Sequence, residues 1–339
     1  MPKITNEKID YNQIKEYNFR HPNLKYKSTI TCNNNEVGLN DTFEVFTSYK
    51  DNNQYLVSKN GCNLEIFRLS DCSIILTAKG HSSKIICVRY FINENNHNEY
   101  LISADENYII IIWDITNNYT IAQTIECLVH GGIYSCLLIF PRKETITYIV
   151  ASSIGIESEE KKSLIKNKIF LKYASHSYYL LSWYNENDSN YYIIKLGKHV
   201  NISNLMNDSE YYYFKEKESI GIHNSGFLYK KNNIDFLCTS SIKGFISIYN
   251  LKQLVITRII NTNQCRLMHI IQWNKEYAIV ADYDNKSFKV VNLDNGKIVS
   301  HIKGQHYRGI ICVKKIYHPI FGESLLTSGT DKTIELWTI

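Results

Sequence analysis

Short apolar runs rich in Val, Ile, Tyr and Phe recur along this chain, separated by Asn, Asp, Gly and Lys, and nowhere does an apolar stripe of helical period persist. Such a pattern predicts an all-β chain. The runs also come in sets of four. Gln272-Trp273-Asn274, Tyr277-Ala-Ile-Val280, Phe288-Lys-Val-Val291-Asn292-Leu293 and Ile298-Val-Ser-His-Ile302 form one set. Ser182-Trp183-Tyr184, Tyr191-Tyr-Ile-Ile194, Val200-Asn-Ile-Ser-Asn204-Leu205 and Glu210-Tyr-Tyr-Tyr-Phe214 repeat its order and approximate spacing. Extending the pattern both ways places first strands near residues 43, 84, 132, 176, 222, 266 and 309. A period of about 40 to 45 residues with four strands each is that of a propeller blade. The expectation is therefore a seven-bladed β-propeller of four-stranded antiparallel blades.

Two units strain this scheme. The outer strands of the third must fall within residues 154–175, which include the charge-dense Glu157-Ser-Glu-Glu-Lys-Lys162, read as an exposed loop. The seventh has strands near 310–317, 324–328 and 333–338 and reaches Ile339 without a fourth. An unassigned β-prone stretch, Leu24-Lys-Tyr-Lys-Ser-Thr-Ile-Thr31, precedes the first unit. Inserted as the outer edge of the last blade, it would close the ring and remove an open seam. The domain reading is an extension over residues 1–23 followed by a single propeller over 24–339.

Composition agrees with one folded body. With 44% hydrophobic and 21% charged residues the chain can bury a core. Its 339 residues suggest about two domains by length alone, but the repeat leaves no linker for a second. No apolar stretch approaches the ~20 residues of a membrane span, and Met1 to Tyr17 has no apolar signal core, so no membrane insertion and a cytosolic or nuclear location are expected. Nine scattered cysteines, never spaced as Cys-x-x-Cys, fit neither a disulfide framework nor a zinc ribbon. Cys87, Cys136, Cys238 and Cys312 lie within apolar runs and read as small buried hydrophobes.

Two units carry additional words. In the second, Gly80-His81, Leu101-Ile-Ser-Ala-Asp105 and Ile112-Trp113-Asp114 occur in order; in the last, His306, Leu326-Thr-Ser-Gly-Thr-Asp331 and Thr333-Ile-Glu-Leu-Trp337 do so at the same phase. Over residues 24 to 339 the chain resembles the WD40-repeat family, with its Gly-His, its strand-b hydroxyl with turn Asp, and its strand-c Trp. The resemblance implies two structural tetrads, His81, Ser103, Asp105, Trp113 and His306, Thr327, Asp331, Trp337, in which buried polar groups satisfy one another. The spacing departs between them: six positions separate Asp331 from Trp337, but eight separate Asp105 from Trp113, and the last unit reads Gly304-Gln305-His306. Phe67, Tyr249 and Val291 stand where other units would carry the Trp, so packing and backbone ladders are expected to hold those units.

No nucleophile elbow, P-loop, zinc-protease motif or EF-hand loop is present. His97, His130, His199, His223 and His318 are isolated and read as surface or turn residues. The expectation is a non-enzymatic chain with no catalytic residue, metal or cofactor. The resemblance implies instead a rigid platform whose d–a and b–c loops receive a protein or peptide ligand. Residues placed in those loops are Ser82 and Ser83, Tyr283, Tyr307 and Arg308, and Thr330. Tyr and Arg are enriched at interface hot spots. Net charge is +5 without a basic block, which disfavours direct nucleic-acid binding. A chromatin- or RNA-associated subunit of a larger complex is the alternative reading, and nothing indicates the oligomeric state.

Overall fold

The computed structural model describes residues 24–31, 43–93, 96–127, 133–139, 147–153, 169–175, 177–207, 209–263 and 265–339. Within them the chain forms strands and a single short 3-10 turn, Glu218–Ile220. Five of the sheets follow chain order from an inner strand a to an outer strand d. The inner strands are Phe43–Thr47, Ile85–Ile92, Ile133–Ile139, Ser177–Asn185, His223–Lys231, Leu267–Gln272 and Ile310–His318. Each lies against the inner strands of its neighbours, and the last lies against the first.

Burial explains the hydrophobic pattern. Middle strands are covered on both faces by adjacent sheets, so they read as continuous apolar runs, as in Ile109–Asp114 with Ile110, Ile111, Ile112 and Trp113 all buried. Outer strands such as Ser73–Lys79 and Val255–Asn261 are largely exposed and leave Ile74, Val255 and Ile259 at the rim. The core is consequently distributed between sheets. Val57, Leu64 and Ile66 of the first unit pack with Val88, Leu101 and Trp113 of the second. Phe43, Leu56 and Phe67 pack in turn with Cys312, Leu326 and Leu336 of the seventh. Lys314 Nζ reaches Glu44 Oε1 at 2.8 Å across that same seam.

In the last unit, Lys25–Thr31 pairs antiparallel with Thr333–Thr338, opposing Tyr26 to Trp337 and Thr31 to Thr333. The Tyr26 ring meets the Trp337 indole edge-on, with centroids 5.7 Å apart. The two ends of the described chain thus share one sheet.

Six units are four-stranded antiparallel blades, which corrects the expectation of seven. The exception is the third unit. Among the described residues its sheet has three strands, Ile133–Ile139, Thr147–Ser153 and Ile169–Ser175, and the last two run parallel, in register from Thr147 with Ile169 to Ser153 with Ser175. Chain length permits the parallel pairing. An antiparallel neighbour needs only a tight turn, whereas a parallel one needs a crossover of about a dozen residues or more. Fifteen residues separate Ser153 from Ile169. The inner strand of the fourth unit then starts at Ser177, and residues 154–168 lie outside the described residues. Glu157 to Lys162 lie outside the described residues, as do residues 1–23 and His130. Cys87, Cys136, Cys238 and Cys312 are fully buried.

Candidate functional site

Because successive strands alternate in direction, the b–c turns and the d–a connections emerge on one face of the ring. The buried side chains beneath that face set the shape of its loops. In the second unit, Trp113 Nε1–H donates to Ser103 Oγ at 2.8 Å, and Ser103 lies 2.7 Å from His81 Nε2. His81 Nδ1 lies 2.9 Å from Asp105 Oδ2. One assignment satisfies every member: the serine hydroxyl donates to Nε2, and Nδ1–H donates to the carboxylate. It uses neutral imidazole, consistent with burial lowering the His81 pKa below its usual 6.5 despite the carboxylate beside it. Asp105 Oδ1 accepts from the Asn107 and Ile109 N–H groups at 3.0 Å, so the network also fixes the b–c turn.

The seventh unit brings together the same types of group. Trp337 Nε1–H donates to Thr327 Oγ1 at 3.1 Å, His306 Nε2 is 2.9 Å from that oxygen, and His306 Nδ1 is 3.0 Å from Asp331 Oδ1. Thr333 Oγ1 lies 2.9 Å from the same Nδ1. Burial opposes the charged form of Asp331, but hydrogen bonds from His306 and Thr333 outweigh it and hold its pKa down to about 2.

The register explains the unequal Asp-to-Trp spacing. Asp105 pairs with Ile85 at the end of strand b, and the corresponding partner of Ile310 is Gly329. A Cβ on Gly329 would lie 2.6 Å from both Asp331 Oδ1 and His306 Nδ1. The carboxylate therefore folds back from two residues farther along the turn into space that only a glycine leaves open.

The fifth unit departs from the expectation that packing and backbone ladders hold the units lacking Trp. His223, expected at the surface, is fully buried, with Nδ1 2.9 Å from Thr239 Oγ1. Its Nε2 is hydrogen-bonded to Glu216 Oε2, and the Tyr249 hydroxyl donates to the other oxygen of that carboxylate. Burial, reinforced by Glu216, raises the Tyr249 pKa well above its usual value, which keeps the phenol a donor. The acid arrives from the connection preceding the His, so a search of the b–c turn misses it. One signal was available: ten positions separate hydroxyl from aromatic in Ser103/Trp113, Thr327/Trp337 and Thr239/Tyr249. The sixth unit uses an ion pair instead, with Lys289 Nζ 2.8 Å from Asp282 Oδ2 and donating to the Thr262 carbonyl at 3.0 Å. His318 is also buried, and its Nδ1 accepts the Ile320 N–H at 3.1 Å.

No family profile and no curated protein sequence matches this chain. Solved structures do. The Cps50 (Swd1) β-propeller domain of Myceliophteria thermophila superposes with a TM-score of 0.60 at 16% identity, covering 93% of this chain and 99% of that one. BBS1N, solved in complex with ARL6DN, superposes with a TM-score of 0.67 at 11% identity, covering 93% and 96% respectively. The fold is a β-propeller.

On the loop face of this propeller, four of the six residues placed there from sequence lie together at units six and seven. Tyr307 is 65% exposed, with the Arg308 guanidinium 5.9 Å from its ring centre. Tyr283 is half-buried, with Arg266 4.3 Å above its ring. Gly309 lies so close to that ring that a Cβ there would sit 2.4 Å from it. The Thr330 N–H donates to the Gly309 carbonyl at 3.0 Å and ties the next turn to the same connection. Ser82 and Ser83 sit on unit two. Ser82 is exposed, while Ser83 Oγ accepts the Asn107 N–H at 3.2 Å and belongs to the turn structure. Among the described residues no group of three His, Cys, Asp or Glu side chains could hold a metal ion, and no helix is long and apolar enough to cross a membrane.

Proposed function

We propose that this propeller is a divergent WD40-type, non-enzymatic adaptor that binds protein or peptide segments on its loop face. The observation that carries the reading is the cluster of Tyr283, Tyr307, Arg308 and Thr330 on a base held by buried hydrogen bonds. Loops pinned in this way lose little entropy on binding, and exposed Tyr and Arg supply the contact energy. The buried His/carboxylate sets are assigned a structural role because their His, Ser and Thr side chains are closed to solvent and already hydrogen-bonded to one another. BBS1N, one of the structural neighbours, is itself a propeller held in complex with another protein. That precedent supports an interaction role without naming a partner for this chain.

Affinity capture from native lysate with mass spectrometry tests the reading, run in parallel on the wild type and on a set of variants with arginine or glutamate placed at exposed loop-face positions. The expected result is a reproducible partner that loop-face variants lose and rim variants at Ile74 or Val255 retain. Capture indifferent to every loop-face variant, or turnover of a small molecule by the purified chain, overturns it.

A further inference from the structure

The charge on the loop face is unevenly distributed. Around units two and four two lysines face carboxylates, Lys84 at 3.8 Å from Glu106 and Lys198 at 3.9 Å from Glu218, while Lys79, Lys215 and Lys217 are exposed singly in the d–a connections. Around units six and seven, Lys286, Lys303 and Arg308 are exposed, and among the described residues none has a carboxylate within ion-pair distance. Lys332 is exposed on the adjoining turn, beside buried Asp331. The exposed acid in this region, Asp284, is held 2.6 Å from Arg266 and is already neutralised.

Backbone contacts make these positions one surface. The Gly304 N–H donates to the Lys286 carbonyl at 2.9 Å, and Lys303 pairs with Ser287. Gly309 joins Arg308 to the Tyr283 ring on one side and to Thr330 on the other. The Tyr307 N–H donates to Asp331 Oδ2 at 2.9 Å, which anchors the exposed aromatic between the two turns. Lys286 and Lys332 both adopt positive φ, 51° and 69°, at the turn position that Gly244 occupies in unit five with φ 83°. Left-handed backbone is unfavourable for a side-chain-bearing residue, and lysine stands at both of these turn positions.

We infer that the loop face of units six and seven is a docking site for an acidic peptide segment carrying an aromatic or other flat apolar side chain. The uncompensated Lys286, Lys303 and Arg308 would take its carboxylates, and Tyr307 its apolar group. This rests on the adaptor reading and specifies its ligand. A peptide fits better than a nucleic acid because the patch is local. A polyanion laid across the ring would meet exposed carboxylates at Glu106, Glu126 and Glu218, whereas a short acidic segment stays on two blades.

The test is fluorescence anisotropy of the full chain with three labelled probes: a short Glu/Asp-rich peptide with one central Phe, its Gln/Asn counterpart, and a single-stranded oligothymidylate of equal length. The acidic peptide is expected to bind best, at least about tenfold better than its neutral counterpart, and to be released as salt shortens the Debye length from about 10 Å to about 3 Å. The double variant Lys286→Glu/Arg308→Glu should lose that tenfold, with unchanged circular dichroism and melting temperature because both side chains are exposed. Lys198→Glu on unit four should bind as the wild type does. Equal binding of the neutral peptide, tighter binding of the oligonucleotide, or indifference to the double variant overturns the inference. A partner captured from lysate that survives Lys286→Glu/Arg308→Glu but is lost on substituting Ser82 overturns this inference alone and leaves the adaptor reading in place.

Discussion

Units five and seven meet the same physical requirement by different means. Each buries a His between a strand-b hydroxyl and a carboxylate, with an aromatic donor ten residues beyond the hydroxyl. In unit seven the acid is Asp331, in the b–c turn; in unit five it is Glu216, in the d–a connection before the His. The difference lies in redundancy. His306 Nδ1 has Thr333 Oγ1 as a second partner at 2.9 Å, whereas one carboxylate, Glu216, is bonded to both His223 Nε2 and the Tyr249 hydroxyl. The architecture demands that buried polar groups be paired and leaves open which segment supplies the partner.

Unit seven depends on one element with no counterpart in unit five, its outer strand from the other end of the chain. Deleting residues 1–31 removes the ladder along Thr333–Thr338 and uncovers Trp337, so it should cost at least about 3 kcal/mol, read as a large drop in melting temperature. Unchanged stability would show that the strand contributes nothing to the ring. Next in size is Glu216→Ala, which strands two buried donors and should cost about 3 kcal/mol in denaturant unfolding. Asp331→Ala should cost less, about 1–2 kcal/mol, because Thr333 remains. The double variant Asp331→Ala/Thr333→Val should approach the Glu216 figure. If Asp331→Ala alone proves the costlier, the redundancy argument fails. Gly329→Ala should destabilise unit seven by about 1–2 kcal/mol, since the new Cβ meets the Asp331 carboxylate and the His306 ring at 2.6 Å.

The smallest expected effects are those of pH. His81 has a folded pKa below 6.5, so the unfolded chain takes up its proton first and stability falls as pH drops below 6.5, levelling once the folded pKa is passed. Asp331 acts lower down. Its folded pKa of about 2 lies beneath the usual 3.8, so its contribution is complete above 3.8 and is lost as pH falls toward 2. Thermal melting in His81→Phe should flatten the first slope, to which buried His318 also contributes, and Asp331→Asn should flatten the second.

What could be read in advance followed from local rules. The strand repeat reflects alternating burial, and the groups of units two and seven are visible because hydroxyl, turn acid and Trp fall within one hairpin. In unit three the strand Ile169–Ser175 lies within the expected 154–175, but its parallel pairing with Thr147–Ser153 is a matter of direction that strand propensity does not encode. Glu216 was hidden because it precedes its His in the d–a connection, and Asp282, at the register position of Asp105, because its partner is Lys289 in place of a His. The basic surface was invisible for a further reason: Arg266, Lys286, Lys303, Arg308 and Lys332 come from four separate segments, and the modest net charge of +5 hides their convergence.

The measurement that bears most directly on the binding role is hydrogen–deuterium exchange of the chain with and without its captured partner. Protection is predicted at residues 283–286, 304–309 and 330–332, with the outer strands Ser73–Lys79 and Val255–Asn261 unchanged. Protection confined to those outer strands, or to the opposite face of the ring, would contradict the account.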